Sequence, residues 1–181
     1  MAAILGLADD AIHEACSESA QGQVVEPVNF NAPSQVVIAG HKAAVERGMA
    51  AAKARGARRA ILLPVSAPFH SSLLRPAADR LARHLAGMAV SVPRIPVVNN
   101  VDVAIETDPQ RIRDALARQA CGPVRWVEVV RRLAESGVDR VVECGPGNVL
   151  TALTRRIDER LQGHAVGDPA SLGQTLEKLR A

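Results

Sequence analysis

The sequence predicts a mixed α/β chain with two halves, residues 1–66 and residues 67–181, on three observations. Short apolar runs alternate with stretches of helical spacing, so strands and helices follow one another along the chain. Within residues 1–66 a pair of strands meets at a tight turn, which calls for antiparallel pairing. Within residues 67–181 each strand leads into a helix, which calls for a parallel sheet. The two textures meet at Pro64-Val65-Ser66-Ala67-Pro68, just before Phe69 and His70.

Ala3-Ile4-Leu5-Gly6-Leu7 opens the chain as a short strand with no leader before it, which suggests a truncated chain. Asp9 is placed to cap a helix whose apolar positions are Ile12, Ala15 and Cys16, and Gly22 follows its end. Val24 to Asn31 is extended, with Val28 and Phe30 alternating with polar neighbours. Asn31-Ala32-Pro33-Ser34 has the chemistry of a hairpin turn into a second strand, Gln35 to Gly40. Val45, Met49 and Ala52 share one face of a helix that Gly56 ends, and Ala60 to Val65 closes the unit as a strand. Strand, helix, strand, strand, helix, strand is the ferredoxin-like order, with two helices on one face of an antiparallel sheet.

Beyond His70, the residues Leu73, Leu74, Ala77, Leu81 and Leu85 keep helical spacing up to Gly87. Ile95 to Val98 reads as a strand bounded by Asn99-Asn100. Asp108-Pro109 starts a helix that runs to Gln119, and Gly122-Pro123 both stops it and starts the next, with Trp126, Val127, Val130 and Leu133 inward. Gly137 ends that helix; Arg140 to Glu143 is a strand that turns through Cys144-Gly145-Pro146-Gly147 into a helix capped by Asn148. With a weak strand near Ala165-Val166, residues 67–181 supply two or three strands, too few to bury both faces of a parallel sheet. The remainder of such a sheet is expected before Met1.

Composition narrows the function. A hydrophobic content of 48% with 23% charged residues excludes a disordered or collagen-like chain. Aromatics amount to Phe30, Phe69 and Trp126, too few for a platform that stacks bases, so no nucleic-acid partner is expected. The three cysteines, Cys16, Cys121 and Cys144, form no C-x-x-C pair and read as reduced thiols of a cytoplasmic protein. No apolar stretch reaches membrane-spanning length, so no membrane partner is expected. The paired arginines Arg58-Arg59, Arg131-Arg132 and Arg155-Arg156 fit either solvated helix faces or a surface that meets an acidic partner.

His70 is the leading candidate for chemistry, although a lone histidine serves structure more often than catalysis. A general base needs a nucleophile within reach and a third group to fix its tautomer. Gln119 lies where a helix ends and backbone carbonyls lack intrahelical partners, so a carbonyl there can accept the imidazole N–H. The nucleophile is not found: no G-x-S-x-G elbow exists in the 181 residues, and Ser66, Ser71 and Ser72 sit too close to His70 on a turn. Cys144 follows a strand and precedes a helix, but its Gly-Pro-Gly neighbour is built for a tight turn. The five histidines make no metal-binding spacing, and Gly145-Pro146-Gly147 lacks the Lys-Ser/Thr of a phosphate loop.

Five separated segments then carry a resemblance: residues 28–40, Pro64 to Leu74 around Phe69-His70-Ser71, Pro96 to Val101, Gln119 with Pro123-Val124-Arg125-Trp126, and Glu143 to Leu150. Taken in order across nearly the whole chain, they resemble the C-terminal three-fifths of the malonyl-CoA:acyl-carrier-protein transacylase family. The resemblance implies that residues 1–66 are a small ferredoxin-like subdomain inserted in an α/β-hydrolase-like acyltransferase core, of which residues 67–181 are the C-terminal portion. It implies ping-pong malonyl transfer in fatty acid biosynthesis, from malonyl-CoA to the phosphopantetheine thiol of acyl carrier protein, both of them substrates, with no cofactor and no metal. His70 matches the family's general base, and Gln119 the residue whose main-chain carbonyl orients it. Phe69 is similar to the pattern that goes with malonyl rather than methylmalonyl selection, and Asn29 and Asn31 match positions near the substrate; capping of the hairpin turn accounts for Asn31 equally well.

The family's elbow serine, its oxyanion-hole glutamine segment and its malonyl-binding arginine have no counterpart in these residues. The expectation is therefore a chain inactive by itself, restored by a missing N-terminal segment or partner chain. The alternatives are a non-catalytic fragment and a module that binds acyl carrier protein.

Overall fold

The computed structural model describes residues 1–180. The chain forms two compact units, Met1–Trp126 and the stretch from Val127 on.

In the first unit, β1 (Ala2–Leu5), β2 (Val25–Ala32), β3 (Gln35–Gly40) and β4 (Arg59–Leu62) form one sheet in the order β2-β3-β1-β4, with every neighbouring pair antiparallel. Helices α1 (Asp9–Ala20) and α2 (Lys42–Ala54) join β1 to β2 and β3 to β4, which is the expected ferredoxin-like arrangement. Alternation along β3 divides the core between the two sides of the sheet. Val36 and Ile38 pack with Ile4, Ile12, Cys16 and Val45 against the helices, while Val37 and Ala39 pack with Val28 on the opposite side. The buried core is aliphatic apart from Cys16, as the shortage of aromatics requires, and Phe30 packs against it only partly buried.

Four local expectations change. Val28 and Phe30 do not share a face: the ladder skips from Pro27–Ile38 to Asn29–Val37, and this bulge at Val28 sends Phe30 to the helix side. Asp9 is not the cap of α1; Ala8 holds that position in extended conformation, and Asp9 and Asp10 lie in the first turn, where their charge favours the positive helix end. The last strand ends at Leu62, opposite Ala2 at the start of β1, and beyond it only Leu63 continues the pairing, its N–H donating to Met1 O at 3.0 Å. Ile95 to Val98 is no strand, because only Val98 has a ladder partner, Ile105, and Ile95 and Val97 stand 77% and 60% exposed.

After β4 a 3-10 turn, Ser72–Leu74, leads into α3 (Arg75–Ala86), and α4 spans Pro109–Arg118. Asp108 caps α4 as expected, its carboxylate accepting the Gln110 N–H at 2.7 Å. Gly122-Pro123 stops α4 but does not start the next helix, since Val124 is extended and bonded to β2: its N–H donates to Val28 O at 2.8 Å and its carbonyl accepts from Phe30 N at 2.9 Å.

Helix α5 (Trp126–Glu135) leads into the second unit. There β5 (Arg140–Cys144) and β6 (Gln162–Val166) pair in parallel, with α6 (Val149–Ile157) between them and α7 (Pro169–Arg180) after them. The weak strand near Ala165 is therefore real, while α7 has no counterpart among the elements expected from the sequence. Asn148 occupies the N-cap position of α6 without bonding through its side chain. Glu143 does the capping instead: its carboxylate accepts from Leu150 N at 3.1 Å and Thr151 N at 2.8 Å. The backbone N–H of Thr151, foremost among these donors, holds the Glu143 carboxyl below its ordinary value.

Candidate active site

His70 sits in the turn between β4 and the 3-10 helix, in the left-handed backbone region at φ 65°. Histidine is among the residues that adopt this region more readily than most, yet the conformation still costs about 1–2 kcal/mol in a residue with a Cβ. Neighbouring bonds hold it. Ser71 is fully buried, and its Oγ donates to Pro68 O at 2.6 Å. Ser72 donates from its backbone N–H and its Oγ to the two oxygens of Glu26 on β2, each at 2.8 Å. Ser71 and Ser72 are thus committed to shaping the turn, which agrees with setting them aside as nucleophiles.

The structure brings His70 and Gln119 together, 49 residues apart in sequence, with His70 Nδ1 2.9 Å from the Gln119 carbonyl oxygen. A carbonyl oxygen only accepts, so the proton of the neutral ring resides on Nδ1 and the lone pair on Nε2. Gln119 is the C-cap of α4, where the helix end concentrates partial negative charge. A continuing helix would bond this carbonyl to the N–H of residue 123, but Pro123 has none. The residue is half-buried.

Gly122 makes this helix end compact. A Cβ there would lie 2.9 Å from Arg118 O, closer than a backbone oxygen tolerates, and 3.0 Å from a methyl of Val101, which would have to give way. The preceding side chain is held as well, since Arg118 donates to both oxygens of Asp102 at 2.5 and 2.7 Å and to Asp114 at 2.7 Å. The paired hydrogen bond from Arg118 keeps the Asp102 carboxyl below its ordinary value.

Phe69, next to His70, is 44% exposed, far more than a core phenylalanine. Asn29 and Asn31 lie half-buried on β2. Asn29 stands in the bridge with Val124, so it is tied by backbone pairing to the segment that follows Gln119. Asn31 borders the turn into β3 and has no such tie. Cys144 ends β5 exposed and free, and burial together with the Glu26 charge pushes the Cys16 thiol up to about 12, which makes it inert.

Sequence reasoning missed Glu26, Asp102 and Arg118. The signals are short-range ones: two serines opening a helix need an acceptor for the first-turn N–H groups, and Asp114 and Arg118 stand at i,i+4 on one helix face.

The acyl transferase domain family matches residues 2–172. The chain belongs to this family. It is 57% identical over 176 residues to the malonyl CoA-acyl carrier protein transacylase of Salmonella typhimurium, an alignment that covers 97% of this chain and 57% of that relative. It superposes with a TM-score of 0.94 on the crystal structure of an acyl-carrier-protein S-malonyltransferase from Burkholderia pseudomallei, at 60% identity, over 97% of this chain and 57% of that one. It superposes with a TM-score of 0.96, at 54% identity, on a malonyl-transacylase solved in complex with its type II PKS acyl-carrier protein, over 98% of this chain and 57% of that one. The chain thus spans little more than half the length of the relatives it matches. Among its described residues no helix is long and apolar enough to cross a membrane.

Proposed function

We propose that this chain is the general-base portion of a malonyl-CoA:acyl-carrier-protein transacylase, acting in the cytoplasm in fatty acid biosynthesis. The observation that carries the reading is the contact between His70 Nδ1 and the Gln119 carbonyl. It fixes the tautomer, aims Nε2 outward and stabilises the imidazolium that forms when Nε2 takes a proton. In this reading residues 1–66 are the small subdomain beside the site and residues 67–181 the C-terminal portion of the core.

In the proposed reaction Nε2 of His70 removes the proton of a serine hydroxyl as its oxygen attacks the thioester carbonyl of malonyl-CoA. The C–S bond breaks and the proton passes to the departing coenzyme A thiolate. In the return half-reaction His70 takes the proton of the carrier protein's phosphopantetheine thiol as its sulfur attacks the malonyl-serine carbonyl; the ester C–O bond breaks and the proton passes to the departing serine oxygen. Phe69 shapes the pocket beside the acyl group, and Asn29 and Asn31 line the approach to it. The 181 residues contain no G-x-S-x-G serine, so the nucleophile comes from outside them, in the same polypeptide or another.

An assay of malonyl transfer to acyl carrier protein tests this. These 181 residues alone show no transfer above background, and joined to the serine-bearing segment of a family member they transfer. Transfer by the 181 residues alone contradicts the reading. A second reading, a non-catalytic module that holds acyl carrier protein, is favoured by the exposed arginines at 58–59, 131–132 and 155–156. Salt-sensitive carrier-protein binding that persists while the joined protein fails to transfer selects it.

A further inference from the structure

Resting on the reading of His70 as a general base, we propose that Asp102 and Arg118 are positioning residues that hold the Gln119 carbonyl in place for the His70 ring. The last residue of a helix is where helices fray, so a carbonyl that must orient a catalytic ring at that point needs support. Arg118, the residue before it, supplies a side chain with three charge-assisted bonds: Nη1 and Nη2 to Asp102 and Nε to Asp114.

Asp102 is itself fixed. Its backbone N–H donates to Asn99 Oδ1 at 2.8 Å, and Asn99 closes its own turn by donating to Ala104 O from its backbone N at 2.9 Å and its Nδ2 at 3.0 Å. The same turn grips the chain on the far side of Gln119, since the Arg125 N–H donates to Asn100 O at 3.1 Å. Residues 99–104 thus clamp the helix end both before and after the carbonyl that meets His70.

Asp102 and Arg118 are partly exposed, with side chains 28% and 41% accessible, and such pairs add little to global stability. Their two-pronged geometry nevertheless fixes direction, and lysine, a compact point charge, cannot reproduce it. The arrangement therefore suits orientation better than stabilisation. Asp114 is the built-in control: it shares the ion pair with Arg118, but it stands one turn earlier on the same helix and not on the 99–104 turn.

The test uses the 15N-labelled 181-residue chain and reads the His70 ring by long-range proton–nitrogen correlation with the imidazole neutral. The unaltered chain shows the Nδ1–H tautomer. Asp102→Asn and Arg118→Lys each lower the ratio of Nδ1–H to Nε2–H about tenfold, equivalent to about 1.4 kcal/mol, within the range of one hydrogen bond. Asp114→Asn leaves it unchanged. Asp102→Asn keeps the side-chain shape and decides the matter should Arg118→Lys fail to fold. An unchanged ratio in folded Asp102→Asn, or an equal change in Asp114→Asn, overturns the proposal. The general-base reading fails separately, if His70→Ala leaves transfer by the joined protein intact.

Discussion

Val36 and Ile38 on β3, and Ile95 and Val97 before Asn99, are the same pairs of residue types at alternate positions of apolar runs. The first two are at most 1% exposed, whereas the second two are at least 60% exposed. β3 has a strand on either side and helices over one face, while the run from Ile95 to Val98 has one bridge. An apolar alternating run becomes a strand only when something pairs with it, because its backbone N–H and C=O groups otherwise bond to water. A short residue run encodes the tendency; the pairing is a property of the whole fold.

Substitution separates the two regions most sharply. Ile38→Ala is expected to cost about 2–5 kcal/mol, the loss for a buried Ile that leaves a cavity, measured by urea denaturation. Ile95→Ala is expected to change stability by less than about 0.5 kcal/mol, as at an exposed site. Equal losses at the two positions break the comparison.

Next in size is Gly122→Ala. The new methyl meets Arg118 O and Val101 at 2.9 and 3.0 Å, and the first of these is backbone. A loss of about 1–3 kcal/mol is expected, as for overpacking elsewhere, together with a displaced Gln119 carbonyl and a changed His70 ring signal. Thermal denaturation and the same nitrogen correlation check both effects.

The helix starts give the smallest effects. Asp108→Ala removes a formed cap and is expected to cost about 1 kcal/mol. Asn148→Ala removes none and is expected to cost almost nothing, because Glu143 holds that helix. Glu143 also gives a pH signature. Its carboxyl is held below the ordinary value of 4.5 in the folded chain, so its contribution is complete above pH 4.5 and is lost as pH falls through the lowered value. A melting series from pH 6 downward shows this acid loss in the unaltered chain, and Glu143→Gln diminishes it.

Much of the fold was legible because its signals are local. The order of β1 to β4 with α1 and α2 follows from periodicity and from Gly and Pro punctuation, and the contact of His70 with a helix-end carbonyl from the N–H groups that Gly122-Pro123 denies to α4. The bulge at Val28 was not legible, since a skipped residue leaves Val28-Asn29-Phe30 looking like plain alternation. Glu143 was hidden for another reason. It reads as a strand residue, and only the Gly145-Pro146-Gly147 turn, with Gly145 and Gly147 at φ 142° and 92°, folds it back onto the helix start. Asp102 and Arg118 are 16 residues apart, and their pairing depends on the Asn99 turn rather than on any spacing.

In the proposed function His70, held by the Gln119 carbonyl, is the base of an acyl transfer site. The most direct measurement is the rate of malonyl-enzyme formation from malonyl-CoA, by rapid quench, in these residues joined to a serine-bearing family segment, with His70 intact and with His70→Ala. His70→Ala is expected to lower the rate by about a hundredfold or more, the contribution of a positioned general base. An equal rate in the two proteins would contradict that role.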